Sequence, residues 1–252
     1  METHWLEQTQ ADLPAHDDWL SSEEAVFLSR MRIAKRRVDW KLGRWTAKRA
    51  AAAYLNLPGD ALALRKLEVR PAPSGAPELF LANLPAAVTI SISHRGGIAA
   101  CAIAPCGVQL GCDLELIEPH GDGFVADYFT TEEQARIARE PEANRLRLVA
   151  LLWSAKESAL KALREGLRLD TRFLAVTFDA QSNDAAGTLR ENSELNPWRP
   201  LQVGYAGGET FHGWWQSTGQ IMRTLVGCPS PLPPILLRGC GASDCSAGLA
   251  SA

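Results

Sequence analysis

The chain has 252 residues, 46% apolar and 22% charged, enough for one large domain or two small ones sharing a core. Its formal charge of −3 gives no global attraction to nucleic acid or to an anionic membrane, so any basic partner surface must be local. No apolar run approaches the ~20 residues that span a bilayer.

The opening METHWLEQTQADLPAHDD has neither the basic start nor the apolar centre of a secretory signal. The six cysteines form no Cys-x-x-Cys pair, and together these features predict a cytoplasmic protein with reduced thiols. Residues 20–56 predict a helix, capped by Ser21 or Ser22 and stopped by Pro58-Gly59. Within it Arg37, Lys41, Arg44 and Lys48 recur at three- and four-residue steps, a basic stripe beside Val38, Leu42 and Trp45. Such stripes are most often solvated, though this one would also suit phosphate or an acidic partner.

From 60 to 104 the pattern changes to short strands. VTISISH alternates Val88, Ile90 and Ile92 with polar residues, and RGG turns it into IAACAIA, so 88–104 predict a hairpin. His94, at a strand end, is by default a structural hydrogen-bonder. Ser93 and His94 project to opposite sides of an extended chain, and no serine–histidine–acid triad is legible.

VQLGCDLEL, 108–116, is the most informative segment. Val108, Leu110, Cys112, Leu114 and Leu116 make one face apolar, and the other sets Asp113 beside Glu115, about 7 Å apart by strand geometry. Carboxylates that close repel unless a cation lies between them. A hard ion such as Mg²⁺ takes one or two carboxylates together with phosphate oxygens; an acidic edge strand facing water is the alternative.

A helix from about 131 opens on TTEE, where Thr130 and Glu133 can form a capping box. The next, from about 145 to 165, contains LLWSAKESALKAL. Leu148, Leu152, Ala155, Ala159 and Ala162 form its buried stripe, while Trp153, Glu157 and Lys161 fall four apart on another face, flanked by Lys156. A surface Glu–Lys pair at this spacing contributes only ~0.3 kcal/mol. A third carboxylate with two ammoniums also suits a site holding a metal and a polyphosphate. Strands are predicted at 173–179, 200–206 and 211–217, with a polar loop at 182–197. The Pro/Gly/Ser/Ala-rich stretch after 227 predicts a poorly ordered tail. Helix followed by strands occurs twice, an outline of two lobes with no residue-level repeat evident.

In this order, SISHRGG, LGCDLE, YFTTEE and WSAKESALKAL resemble the 4′-phosphopantetheinyl transferases of the surfactin-synthetase type. Gly-x-Asp-x-Glu is present as Gly111–Glu115 and Trp-x-x-Lys-Glu as Trp153–Glu157, and DWKLGRWTAKRAAAAYL is similar to the family's first helix. The likeness spans roughly residues 20–220.

The resemblance implies an α+β pseudodimer, each lobe a small antiparallel sheet on a long helix, with the site in the cleft between lobes. Residues 1–107 and 108–227 would be the lobes and 228–252 the tail. It further implies a monomer that takes coenzyme A and Mg²⁺, acts on an apo acyl or peptidyl carrier protein, and has no nucleic-acid or membrane partner. Asp113, Glu115 and Glu157 would ligate the metal. Glu157, or a metal-bound water it orients, would deprotonate the carrier's serine hydroxyl, and Lys161 would steady the leaving side of the pyrophosphate. Ser93 and His94, helped by Arg37 or Arg44, would contact the adenylate or its 3′-phosphate, with Lys156 also in the cofactor-binding set.

Two departures stand out. The family often carries Gly-Lys-Pro before the hairpin, where PSGAPEL has Ala76, so a phosphate contact is absent or comes from elsewhere, such as Arg95. Cys112 stands where a branched aliphatic residue is usual. A metal-dependent nuclease or phosphohydrolase is the main rival, since Asp-x-Glu near Lys-Glu also suits phosphodiester cleavage. The charge balance argues against a DNA substrate, because phosphate backbones call for clustered lysines and arginines. A coenzyme-A-binding module without activity ranks lower, because all three expected ligands are intact.

Overall fold

The computed structural model describes residues 1–178 and 197–237. The first half runs β1 (His4–Thr9), α1 (Ser22–Arg30), α2 (Ala34–Tyr54), α3 (Ala61–Arg65), β2 (Leu67–Pro71), β3 (Pro77–Leu81), β4 (Leu84–Pro85), β5 (Val88–Arg95) and β6 (Ile98–Pro105). The second runs β7 (Gln109–Leu116), α4 (Phe124–Tyr128), α5 (Thr131–Arg139), α6 (Glu142–Leu163), β8 (Leu174–Phe178), β9 (Arg199–Tyr205), β10 (Thr210–Thr218), β11 (Ile221–Cys228) and β12 (Ile235–Leu236). No helix among the described residues is long and apolar enough to cross a membrane.

The predicted hairpin forms as β5 and β6, joined through Gly96 and Gly97 at φ +59° and +80°. Two consecutive positive φ values define the turn whose twist matches paired strands, and glycine adopts them without steric cost. These strands belong to the sheet β12-β1-β6-β5, with β2-β3-β4 as a smaller sheet beside it. The alanine face of α2 (Ala47, Ala50 and Ala51) packs on Leu6, Ile90, Cys101 and Ile103. The other large sheet is β7-β11-β10-β9-β8, every neighbouring pair antiparallel. The predicted stripe of α6, including Leu148, Leu152, Ala155 and Ala159, covers it against Leu201, Val203, Phe211 and Val226.

The sheets meet along β5 and β7. There Ser91 Oγ accepts the Cys112 N–H (2.9 Å) and Ser93 Oγ accepts the Leu114 N–H (3.3 Å), so side chains supply the acceptors a paired strand would have offered. The apolar face of β7 (Leu110, Cys112 and Leu114) joins Leu225 in a third core against Trp5, Ala100, Ala102 and Ala104. Burying a leucine in such a core contributes about 2 kcal/mol.

A residue-level repeat does exist, correcting the sequence reading. Ser21 caps α1 as the Glu24 N–H donates to its hydroxyl (3.2 Å) and the Ser21 N–H donates back to Glu24 Oε2 (3.1 Å). Glu24 Oε1 accepts the Val69 N–H of β2 (3.1 Å), and Lys48 of α2 pairs with Glu24 while its ammonium donates to Trp19 O. Thr130 and Glu133 reproduce the box on α5 (3.2 and 2.9 Å). Glu133 Oε1 accepts the Val176 N–H of β8 (3.0 Å), and Lys156 of α6 pairs with Glu133 (2.7 Å) while donating to Tyr128 O. In sequence the repeat reads SSEE against TTEE and WTAK against WSAK.

Other expectations also change. The helix predicted over 20–56 is two helices broken at Met31–Ile33, and Arg37 Nη1 donates to the carbonyls of Leu28 (2.7 Å) and Met31 (3.2 Å) at the end of α1. The break lets α1 fold back and set Glu24 against Lys48. The stretch expected as a tail from 228 is ordered as far as 237, because β12 pairs in parallel with β1. Residues 182–196 of the predicted loop lie outside the described residues, as do 179–181 and 238–252.

Candidate active site

Gly111 permits the site. Its position and those of Asp113 and Glu115 face α6, and a Cβ built on Gly111 would stand 1.8 Å from Ser158 O and 2.8 Å from Ala162 N. Only a residue without a side chain lets the helix lie this close. The approach brings Lys161 Nζ to Asp113 Oδ1 (2.8 Å) and to Cys112 O (3.0 Å). Ser93 Oγ, from the other sheet, donates to the same Asp113 oxygen (2.8 Å). Asp113 is 4% exposed, and its second oxygen, Oδ2, is buried with no hydrogen-bond partner.

Trp153 Nε1 donates to Glu115 Oε1 (3.1 Å), and Arg95 Nε lies 3.4 Å from Glu115 Oε2. Glu157 makes no hydrogen bond or ion pair among the described residues, yet Asp113 and Lys161 are near enough to act on its charge. Burial, and then the charge of Asp113, push Glu115 up to about 7. The same two causes, in that order, raise Glu157, with Lys161 opposing. Burial disfavours the Lys161 ammonium, but Asp113 foremost, with Cys112 and Glu157, holds it above the usual lysine range.

The structure therefore brings Ser93, Asp113 and Lys161 into direct contact and sets Glu115 and Glu157 around Asp113. His94, at the rim, lies beside Gly43 of α2. Desolvation lowers its affinity for a proton; nearby Lys161 acts in the same direction, while Asp39 and Asp113 oppose.

The expected cofactor-binding role of Lys156 is corrected. Its side chain is fully buried, paired with Glu133, and donates to Thr171 O (2.9 Å) and Leu174 O (2.8 Å), so no part of the ammonium faces a ligand. The basic stripe likewise is not a free surface: Lys48 is held by Glu24, Lys41 pairs with Asp17, and Arg37 closes the end of α1. Arg44 stands over Trp40 (4.7 Å), with Nε buried and unpartnered, and burial lowers its pKa. Near Ala76, cations arrive from the second lobe. Arg168 Nη2 donates to Ser74 O (3.1 Å), and Arg164 lies 3.5 Å from Glu78. Arg95, by contrast, is engaged by Glu115 and Glu118. Sequence reasoning missed the Trp153–Glu115 bond, although the four-residue step from Trp153 to Glu157 signalled a shared face.

Asp113, with a buried oxygen lacking a partner, and Glu115 and Glu157 beside it are oxygen donors of the kind a hard divalent cation takes. Among the described residues no three such side chains stand already arranged to hold an ion. Lys161 lies on Asp113, while Trp153 and Arg95 lie on Glu115. A separate cavity lined by Thr177, Gln202, His212, Trp214 and Pro231, among others, includes none of these residues.

The model of the 4′-phosphopantetheinyl transferase superfamily matches residues 109–206, less than half of the chain. No curated protein matches the sequence. Among solved structures, holo-[acyl-carrier-protein] synthase of Helicobacter pylori, in complex with coenzyme A, is similar at 17% identity. That alignment covers 41% of this chain and 98% of the other, with a TM-score of 0.28.

Proposed function

We propose that this protein transfers the 4′-phosphopantetheine group of coenzyme A to a serine hydroxyl of an apo acyl or peptidyl carrier protein, releasing adenosine 3′,5′-bisphosphate. The observation that carries the proposal is the convergence of Asp113, Lys161 and Ser93, with Glu115 and Glu157 beside them, at the seam of two sheets. Support comes from the superfamily match over 109–206, which contains every acid and the lysine of this cluster. The surfactin-synthetase type is favoured by the motif order and by two similar lobes in one chain.

Asp113, Glu115 and Glu157 would hold Mg²⁺, which when bound supplies positive charge to the pyrophosphate. Phosphoryl transfer needs positioned charge more than a covalent nucleophile. Lys161, already poised on Asp113, would carry charge to the phosphate oxygens. Glu157 has no hydrogen-bond or ion-pair partner among the described residues and a raised pKa, which suits it to accept the serine proton. The serine oxygen would bond to the β-phosphorus while the bond from that phosphorus to the bridging oxygen breaks. Ser93 would keep Asp113 oriented, and His94 at the rim would meet the adenylate side.

The test is incubation with coenzyme A, Mg²⁺ and several apo carrier proteins, followed by mass spectrometry. A phosphopantetheine adduct on a carrier is the expected result. No adduct on any of them, together with hydrolysis of a nucleic acid, would overturn the proposal in favour of a nuclease.

A further inference from the structure

Asp113 has been stripped of water and, among the described residues, forms its ion pair with the Lys161 ammonium at 2.8 Å. That ammonium sits where a metal-binding carboxylate would need to be free. Two cations on one buried carboxylate repel each other strongly, since the low local dielectric weakens the repulsion little. Lys161 is equipped to leave. Its side chain keeps 28% of its surface exposed, its stem is long and flexible, and its only other acceptor among the described residues is a backbone carbonyl, Cys112 O. Asp113 would remain held by Ser93 through Oδ1, with Oδ2 buried and without a hydrogen-bond partner among the described residues.

We infer that Lys161 is the resident counter-ion of Asp113 and couples the two ligands of the site. A divalent ion and the ammonium compete for this carboxylate, and a phosphate-bearing substrate that draws the ammonium to its own oxygens opens Asp113 to the ion. The competition follows from the geometry alone, whereas the coupling rests on the proposed function. Because linkage is reciprocal, the ion must tighten substrate binding by the factor by which substrate tightens ion binding. Lys161 is a positioning residue in this role, whatever it also does to the phosphates.

The experiment is a titration of the full chain with Mn²⁺, followed by electron paramagnetic resonance, with and without coenzyme A. Wild type, Lys161→Met and Lys161→Arg are compared, with circular dichroism to confirm folding. Without coenzyme A, Lys161→Met should bind Mn²⁺ about tenfold more tightly than wild type, because the competing charge is gone. Lys161→Arg, which keeps the charge, should stay close to wild type. Coenzyme A, whose phosphate oxygens also meet the ion, should strengthen Mn²⁺ binding in all three proteins, and by a clearly larger factor in wild type than in Lys161→Met; an equal factor in both would overturn the coupling. Unchanged or weaker binding by folded Lys161→Met would overturn the inference, as would equal tightening by Lys161→Arg. If coenzyme A bound none of the three, the proposed function and the coupling would fall together, and the titration without it would still decide the competition.

Discussion

Glu115 and Glu157 hold their protons more tightly than free carboxylates do, and the cause is visible atom by atom. Glu115 is half-buried beside Asp113, and neither the Trp153 N–H nor the more distant Arg95 offsets the loss of water. Its pKa in the folded chain, about 7, lies above the reference value of 4.5, so the folded state binds this proton more tightly than the unfolded state does. A group of that kind stabilises the fold fully below its unfolded pKa, and the contribution is lost as pH rises through the folded one. Glu115→Gln cannot ionise and should be spared that loss. Its melting temperature relative to wild type, measured in EDTA by circular dichroism, should therefore climb between pH 5 and pH 8. A difference that stays flat over this window would mean that Glu115 titrates normally.

Helix α6 crosses β7 at its one residue without a side chain, and the whole acid–lysine cluster depends on that crossing. In Gly111→Ala the new methyl would collide with the Ser158 carbonyl, which is helix backbone and cannot swing aside. Either the helix retreats or the strand bends, at a cost of about 2 kcal/mol or more. Lys161 would also lose reach to Asp113. Urea denaturation should show the destabilisation, and transfer to a carrier should fall at least about a hundredfold, as a misplacement near 1 Å can do. A variant as stable and active as wild type would show that the elements are not packed this closely.

The alternation of β7 and the apolar stripe of α6 were legible because each follows from a single period, two in a strand and 3.6 in a helix. Lys156 was misread for the same reason. Adjacent to Glu157 in sequence, it points about 100° away, and spacing alone does not say that a buried glutamate waits there. That partner was half visible in TTEE, since a capping-box glutamate has a second oxygen to satisfy. The SSEE/TTEE and WTAK/WSAK echoes lay in the sequence, but four-residue likenesses become a repeat only once both are seen to build the same lock. Strand β1, broken by charge and ending in a polar run, gave no clean alternation, and the break between α1 and α2 carries no glycine or proline to announce it.

At the scale of the molecule the two lobes share a scaffold and differ in chemistry. Where WSAKE supplies Glu157, WTAKR supplies Arg49, whose guanidinium donates to Gly59 O (3.0 Å), so only the second lobe offers the acid. The site nevertheless needs both, because Ser93 comes from one sheet and Asp113 from the other. A further polar tie, beside the Ser91 and Ser93 bonds to β7 and the Arg168 bond to Ser74, is Arg223 of β11. It grips Glu7 of β1 through Nε (2.6 Å) and Nη2 (2.7 Å) and Thr218 through Nη1 (2.6 Å), and it is 9% exposed. Removing one member of a buried pair leaves the other charge without water or partner, and costs about 3 kcal/mol or more when burial is complete. Glu7 keeps 24% of its side-chain surface, so Glu7→Ala should cost closer to about 2 kcal/mol. Arg223→Met should cost a similar amount, and the double variant should cost less than the sum by at least about 1 kcal/mol. Because the lobes share a core, all four proteins should unfold in one transition, with tryptophan fluorescence and circular dichroism coinciding. Strictly additive losses, or two separate transitions in wild type, would mean that the pair does not join the lobes and that Ser93 and Asp113 are held together by the other contacts between them.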